Sequence, residues 1–403
     1  MKLHQLQTPK MMLLCGGLIL MLSLGIRHGF GIFLRPMTFD LHWTRSIFGF
    51  AIALQNLVWG FAQPVVGMVA DRYGAGRVLV SGGLLYALGL VLMAQSTSGL
   101  EIALSAGVLI GLALSGTYTI VFGVVGRAFL PDTRSVALGI LGAMGSFGQF
   151  AMLPLGQSLI SSMGWWASLM ILASLVCLIV PLAAPLSGIT SSASTTPAAR
   201  LSVYEAISEV ASHQGFWLLT LGFLVCGFQV VFVATHLPAY LLDKGMSTET
   251  GMIALALIGL ANIPGTYLAG YLGGKYPKKY LLSGIYLARV LVIAIFIAAP
   301  VTEWSVYCFA LAIGLVWLGT VPLTSGLVAQ IFGVQYLSML FGIVFMGHQI
   351  GAFMGGWMGG YVYDLTGSYR FVWLVAIALS IIAALLNLMI EDKAVARLQT
   401  QSG

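Results

Sequence analysis

Several side chains that carry or can carry positive charge lie inside apolar stretches of this chain. Arg27 and His28 fall late in the first stretch. Arg289 lies near the middle of the ninth stretch, and His348 lies in the centre of the eleventh. The twelve Asp and Glu residues can all be placed in loops or at the ends of stretches. A cation at the centre of a bilayer costs about 2.5–3.5 kcal/mol by insertion scales, so it needs a partner. A bound organic anion could be that partner, because Arg can hold both oxygens of a carboxylate.

Each of these cations also has a purely structural interpretation. Arg27 could extend to the lipid headgroups, as long charged side chains near helix ends do. Arg289 could be satisfied by Tyr286, three residues earlier. A lone histidine such as His348 is often a hydrogen-bonded packing residue, and His236 could be a gate or interface residue. The sequence alone leaves these alternatives open.

Uncharged polar residues in the same stretches complete a predicted substrate-binding set. Such residues also link helices, typically for about 1 kcal/mol each. Gln55 and Asn56 are further candidates of this kind. His28 and His348 are the predicted proton-coupling residues, because an imidazole titrates near neutral pH. The predicted substrate-binding residues are Arg27, His28, Tyr118, Gln149, Gln229, Asn262, Arg289, Trp317, His348 and Gln349.

Metal, cofactor and enzyme chemistry are not predicted. The four Cys residues stand singly in different apolar stretches, with neither metal-ligand spacing nor a disulfide framework. The chain has no phosphate-binding loop, no nucleophile elbow and no His-Glu-x-x-His pattern. The sequence therefore predicts neither an enzyme nor a machine driven directly by ATP.

The composition requires a membrane protein. The chain has 403 residues, of which 59% are hydrophobic and 7% charged, and its mean hydropathy is +0.99. One crossing of the hydrocarbon takes about 20 helical residues, and the chain has about twelve apolar stretches of that length. An all-α membrane protein is expected, because backbone polar groups cannot be left unpaired in lipid. The predicted spans are 11–34, 46–70, 78–95, 100–126, 135–160, 165–187, 215–242, 249–273, 280–300, 304–329, 337–363 and 369–390.

The second half of the chain repeats the first at an offset of 203 positions. Gly67 falls on Gly270, and Gly139 falls on Gly342. Each half has six predicted spans, so the halves are parallel repeats related by a pseudo-two-fold axis along the membrane normal. We predict an N-terminal bundle at 1–187, a cytoplasmic linker with a short surface helix at 188–212, and a C-terminal bundle at 213–403.

The distribution of basic residues predicts the topology. If the N-terminus is inside, twelve Lys and Arg residues fall in cytoplasmic segments and four fall outside. This positive-inside bias places both termini in the cytoplasm of a cell whose inner membrane holds the protein. The first stretch lacks a small-residue cleavage site and is expected to be retained as a helix.

One loop carries a family resemblance. Gly67, Asp71, Arg72, Gly74 and Arg77 resemble the GxxxDRxGxR loop of the major facilitator superfamily, and a degraded copy lies at the repeat offset. The resemblance implies a transporter fold in which Asp71, Arg72 and Arg77 form a cytoplasmic latch. There Asp71 would cap a helix N-terminus of the other bundle, a contact worth about 0.3–2 kcal/mol.

A narrower resemblance is to the branch that holds monocarboxylate transporters and oxalate–formate antiporters. The stretch from Arg27 through Gly29 to Phe33 is similar to their first helix, with His28 at the position of a Lys. Trp43 and Arg45, which open the second span, are also similar. The Arg that binds carboxylate in the eighth helix of animal members is absent here, and Asn262 and Thr266 stand near its position.

The expected function is therefore secondary active transport of a small, monocarboxylate-like organic anion by alternating access, coupled to protons or by anion exchange. One alternative is a carrier for a larger amphipathic compound, such as a siderophore or drug. Another is a transporter-like ligand sensor, although the loops are short and no large soluble domain is present. Partners are expected to be the substrate, protons and the lipid bilayer, with no nucleic acid, and the protein is expected to be a monomer.

Overall fold

The computed structural model describes residues 8–43, 45–188 and 202–399, which form helices and short turns without a strand. Eleven helical segments of the described chain, some of them made of consecutive helices, are long and apolar enough to cross a membrane. One of them, Pro131–Leu182, has 52 residues, whereas a single crossing takes about 20. Gly164 divides it, because its φ of 78° lies in the left-handed region and interrupts the helix. The eleven segments therefore supply twelve crossings, and the predicted all-α membrane fold is confirmed.

The first half of the described chain contains helices α1 to α9. A π-helical stretch, Ala103–Leu109, joins α5 to α6, and a break at Gly116 and Thr117 separates α6 from α7. The bounds are α1 Pro9–His28, α2 Phe30–Asp40, α3 Arg45–Tyr73, α4 Ala75–Gln95, α5 Gly99–Ile102, α6 Ile110–Ser115, α7 Tyr118–Ala128, α8 Pro131–Val176 and α9 Ile179–Leu182.

The second half contains helices α10 to α18. Helix α14 ends at Leu315 and α15 begins at Thr320, so the span predicted as continuous over 304–329 is broken. Helix α10 lies where the short linker helix was predicted, and residues 189–201 of that linker lie outside the described ranges. The bounds are α10 Val203–Ser212, α11 Gln214–Asp243, α12 Thr248–Gly273, α13 Lys278–Ala298, α14 Glu303–Leu315, α15 Thr320–Phe332, α16 Leu337–Thr366, α17 Arg370–Leu388 and α18 Ala396–Gln399.

The contacts group the chain into two compact units that cut across two helices. The first part of α8 belongs to unit 2, and the first part of α16 belongs to unit 1. These two helix starts are equivalent positions under the 203-residue offset. Unit 1 contains Met1–Leu130, Met144–Ala206 and Val334–Gly342, and unit 2 contains Pro131–Ala143, Ile207–Gly333 and Ile343–Gly403.

Within unit 1, α1 packs closely against α8. A Cβ added at Gly25 would lie 2.6 Å from the Gly148 carbonyl oxygen, and one added at Gly148 would lie 2.2 Å from the Met21 carbonyl oxygen. Only glycine permits such an approach, because small residues let helix backbones come together. The seam places Arg27, near the end of α1, at a fixed position in this unit.

Within unit 2, α11 packs against α16 along a matching glycine seam. A Cβ at Gly351 would lie 1.9 Å from the Leu224 carbonyl oxygen, and one at Gly355 would lie 2.1 Å from that of Phe228. Further along unit 2 the core is aromatic, with the Phe296 and Phe309 rings stacked 4.0 Å apart. The seam fixes the depth of His348 on α16.

The close packing of α11 on α16 predicts that an added methyl group destabilises the protein where the two helices touch and not where its Cβ meets open space. Gly351→Ala should lower the thermal unfolding midpoint of the purified protein by several degrees, because overpacking costs about 1–3 kcal/mol. Gly284→Ala on α13 is the matched control, since a Cβ there meets nothing within 4 Å. Equal midpoints for the two variants would contradict the close packing of α11 on α16.

Candidate functional site

Arg27 is held inside unit 1 by α3. Its Nη2 donates to Asn56 Oδ1, and its guanidinium lies over the Trp59 ring, 5.3 Å from the centroid. Its Nε is buried and, among the described residues, donates no hydrogen bond. A buried donor without a partner costs about 1–3 kcal/mol. The side chain thus turns toward α3, and its buried Nε–H lacks an acceptor among the described residues.

The other predicted residues of unit 1 relate to Arg27 in different ways. Tyr118 contacts Trp59, the ring on which Arg27 lies, and the two rings are edge to face with centroids 5.8 Å apart. His28 turns back on its own helix, where Nδ1 donates to the Leu24 carbonyl oxygen at 2.7 Å. Gln149 is half-buried on α8. The structure therefore brings Tyr118 to the Arg27 group and directs the His28 ring elsewhere.

Arg289 is buried in unit 2 and all three of its nitrogens have partners. Nε and Nη2 donate to the Val316 carbonyl oxygen at 3.0 and 2.9 Å, and Nη2 also donates to that of Trp317. Nη1 donates to Gln229 Oε1 at 2.9 Å. The side chain is 1% exposed. These carbonyls end α14, where the helix dipole favours a cation, so Arg289 needs no bound anion.

The break between α14 and α15 explains three more of the predicted site residues. Asn262 Oδ1 accepts from Leu318 N at 3.0 Å, and Trp317 supplies a carbonyl to Arg289. Gln229 accepts from Arg289 and donates to the Ala376 carbonyl oxygen at 2.9 Å. These polar groups satisfy backbone atoms that a broken helix would leave unpaired in hydrocarbon.

The first half uses the same device at the equivalent break. Gln63 Nε2 donates to the Ser115 carbonyl oxygen at 2.7 Å and to Thr119 Oγ1 at 2.6 Å. Ser115 is the repeat equivalent of Leu318. Gln55 serves the same span, because its Nε2 donates to the Ala106 carbonyl oxygen at 2.7 Å. Both glutamines of α3 therefore donate to backbone carbonyls of the neighbouring span.

His348 lies on α16 in unit 2, next to the rings of Phe345 and Phe223. Its ring stacks on Phe345 with centroids 5.3 Å apart and lies 4.9 Å from that of Phe223. Its Nδ1 is 3.3 Å from Gln349 Oε1. Within the described parts of the chain, the buried Gln349 Nε2 has no hydrogen-bond partner. His348 and Gln349 thus form a second polar group, which Cys226 connects to Arg289 and to Thr320 at the start of α15.

Asp71 forms the one fully buried ion pair seen in the described ranges. Arg127 Nη1 donates to Oδ1 at 2.6 Å, and Met339 N, at the start of α16, donates to Oδ2 at 2.9 Å. The carboxylate thus meets both a cation and the positive end of a helix dipole. The other two predicted latch residues, Arg72 and Arg77, are exposed.

The sequence analysis missed Trp59, Gln63 and Arg127. Spacing could have shown the first two, because positions 56, 59, 63, 67 and 71 recur at intervals of three and four and so share one face of α3. Arg127 was placed only as a cytoplasmic charge. No helical period connects it to Asp71, since the two residues lie 56 positions apart.

Neither metal ligation nor an apolar surface groove on unit 2 indicates another site. No group of three or more His, Cys, Asp or Glu residues that could hold a metal is found where the structure describes the chain. A groove on unit 2 is lined only by apolar side chains, namely Leu260, Ala261, Ile263, Pro264, Leu311 and Leu315.

Comparison with known proteins identifies the family. The model of the Major Facilitator Superfamily matches residues 13–332, so the chain belongs to this superfamily of transporters. The prediction of a multi-pass membrane transporter, and not an enzyme, is thereby confirmed.

Individual relatives are distant but cover most of the chain. The MFS-type transporter YcxA of Bacillus subtilis is 25% identical and covers 90% of both chains. Monocarboxylate transporter 13 of Rattus norvegicus is 26% identical over 88% of this chain and 82% of its own. The crystal structure of the Escherichia coli fucose:proton symporter FucP has the same fold, with a TM-score of 0.73 at 17% identity over 94% of this chain and 98% of its own.

The hydrogen bonds of Arg289 predict a structural role. Arg289→Leu leaves two backbone carbonyls and Gln229 unpaired, at about 1–3 kcal/mol for each group. Its thermal unfolding midpoint should therefore fall by many degrees, and that of Arg27→Leu should fall much less. An Arg289→Leu protein as stable as the wild type would show that the side chain is not needed to close the helix break.

The Asp71–Arg127 pair should behave as a coupled unit. Asp71→Asn or Arg127→Gln alone leaves a buried partner unpaired, which costs about 3–5 kcal/mol, and the double variant should recover part of that loss. Chemical unfolding of the four proteins gives the coupling energy. Arg72→Gln, at an exposed neighbouring position, is the control and should change stability by less than about 0.5 kcal/mol. Strictly additive losses would rule out the coupling.

Proposed function

We propose that this chain is a secondary active transporter of a small organic anion of the monocarboxylate type, working by alternating access. The observation that carries the proposal is the state of Arg27. It is a charged side chain within a membrane-spanning helix, it is bonded to an uncharged amide, and its Nε is buried without a partner among the described residues. A carboxylate would supply both the missing charge and the missing acceptor.

The contrast with Arg289 supports this choice of residue. Both cations lie in apolar helices, but Arg289 is occupied by the carbonyls of a helix break and Arg27 is not. The similarity to monocarboxylate transporter 13 agrees with an organic acid as the substrate. Position 262 carries Asn and not a basic residue. In this chain the anion would therefore be held by Arg27 on α1.

Proton coupling would use His28 or His348. Each is an imidazole within a membrane-spanning helix, and the His348 ring stacks on that of Phe345. Anion exchange without a proton would use the same Arg27. We place both termini in the cytoplasm of the cell whose inner membrane holds the carrier, on the strength of the positive-inside bias.

The Asp71 group would act as the cytoplasmic latch of the cycle. It joins the end of α3 and Arg127 of α7 to the first turn of α16. Opening on the cytoplasmic side would break the hydrogen bond from Met339 N to Asp71. Arg127 would then remain as the partner of the buried carboxylate. The equivalent of Asp71 in the second repeat is Gly274, so that copy lacks a carboxylate latch.

Uptake into proteoliposomes tests the function. Arg27→Gln should reduce uptake of radiolabelled monocarboxylates about 10- to 100-fold, because a charge-assisted hydrogen bond is worth about 1.5–3 kcal/mol. Lys393→Gln removes an exposed positive charge outside the predicted site and latch and should transport normally. Wild-type uptake driven by an imposed pH gradient, and lost in His348→Gln or His28→Gln, would support proton coupling, and indifference to the gradient would support exchange.

The same assay separates the alternatives. Uptake of a siderophore or a cationic drug that survives Arg27→Gln, with no organic acid transported, would replace the anion carrier by a carrier of larger compounds. Binding of an acid without any flux in either direction would favour a ligand sensor.

A further inference from the structure

We propose that Asn56 and Trp59 hold Arg27 so that its Nε–H meets a carboxylate whose body lies on the Trp59–Tyr118 ring pair. This inference rests on the proposed function and narrows it. The substrate class is a monocarboxylate with an apolar, preferably aromatic, body. Hydroxy acids and dicarboxylates should bind less well. Asn56 and Trp59 act as positioning and specificity-determining residues.

Asn56 fixes the direction of the guanidinium. Its Nδ2 donates to the Ile52 carbonyl oxygen at 3.0 Å, which turns Oδ1 toward Arg27. Oδ1 accepts from Nη2, and the buried Nε has no partner in the described ranges. The side chain is therefore preorganised for one carboxylate, and little freedom is lost when the anion arrives.

The Trp59 ring, over which the Arg27 guanidinium lies, is also held in place by hydrogen bonds. Its Nε1 donates to Gln63 Oε1 at 2.8 Å, and Gln63 is itself anchored on the Ser115 carbonyl oxygen and Thr119. Asn56, Trp59 and Gln63 follow the three- and four-residue spacing of one face of α3. The ring thus has a fixed orientation set by the break between α6 and α7.

The surroundings of Arg27 favour an apolar body over a second polar group. The rings of Trp59 and Tyr118 are 5.8 Å apart, and those of Tyr118 and Phe122 are 5.3 Å apart. The nearby amides of Asn56 and Gln63 are engaged at both ends. A hydroxyl or second carboxylate placed against the faces of these rings would lose its water, and the engaged amides of Asn56 and Gln63 could not replace it, whereas an apolar group is stabilised there.

Binding of matched acids to the purified protein tests the inference. Isothermal titration of the wild type with phenylacetate, lactate and succinate should give a phenylacetate affinity at least about tenfold higher than the other two. Trp59→Leu should reduce phenylacetate affinity about tenfold or more and lactate affinity by less than about threefold. Trp59→Phe, which keeps a ring, should restore most of the phenylacetate preference.

Asn56→Ala should act differently from Trp59→Leu. Because it frees Arg27 without changing the ring wall, all three acids should weaken by a similar factor and their order should be kept. Phe61→Leu, on the exposed face of α3, is the matched control and should change neither affinity nor order. Unfolding midpoints measured on every variant show which proteins are folded before their affinities are compared.

The outcomes separate this inference from the proposed function. If no organic acid binds, or if binding is indifferent to Arg27→Gln, the proposed function fails. If acids bind through Arg27 but wild-type lactate or succinate affinity equals that of phenylacetate, only the apolar-body inference is overturned. That inference is also overturned if Trp59→Leu weakens phenylacetate and lactate equally. The wild-type comparison alone can overturn it, so the test does not depend on a variant that folds.

Discussion

A backbone group inside hydrocarbon must find a hydrogen-bond partner, and this constraint governs where the polar side chains of this transporter go. Among the described residues, two spans are broken at repeat-equivalent places, at Gly116 and Thr117 and between Leu315 and Thr320. Each break frees carbonyl and amide groups that lipid cannot satisfy. Gln63 serves the first break, and Arg289 serves the second. Polar residues that resemble a binding site in the sequence are thus largely committed to the scaffold, and the few that are not become informative.

The internal repeat shows how one framework was given different chemistry in its two halves. Tyr86 is the repeat equivalent of Arg289, and its hydroxyl donates to the Ser23 carbonyl oxygen at 3.1 Å. In unit 2 the same position carries a guanidinium that reaches a helix end. Arg27, by contrast, is equivalent to Val230 and has no counterpart in the second half. Arg27 is thus a charge that only one of the two repeats carries, in a setting where charge is expensive.

The contacts at Asp71 and at its repeat-equivalent position also differ between the two units. In unit 1, Asp71 is fully buried and pairs with Arg127. At the equivalent positions unit 2 has Gly274 and Gln330, and Gln330 accepts from Lys278 Nζ at 2.9 Å on a more exposed surface. The buried pair is sensitive to the loss of either partner, whereas a solvated contact is worth little. The α3 face that carries Asp71 also carries the residues that hold Arg27, so one helix bears both the candidate anion site and the proposed latch.

The sequence by itself determined the twelve spans, the duplication, the family and the presence of cations in apolar helices. These features depend on hydropathy, length and local motifs, and the predicted span 280–300 differs by only two residues at each end from Lys278–Ala298. The sequence could not show which of the two cations is already paired within the protein, because Arg27 and Arg289 are both basic residues in apolar stretches. Only the tertiary structure decided between them, since the carbonyls that satisfy Arg289 belong to a break 27 and 28 residues away in another helix. Whether a buried charge is already paired is a long-range geometric property, and no local pattern encodes it.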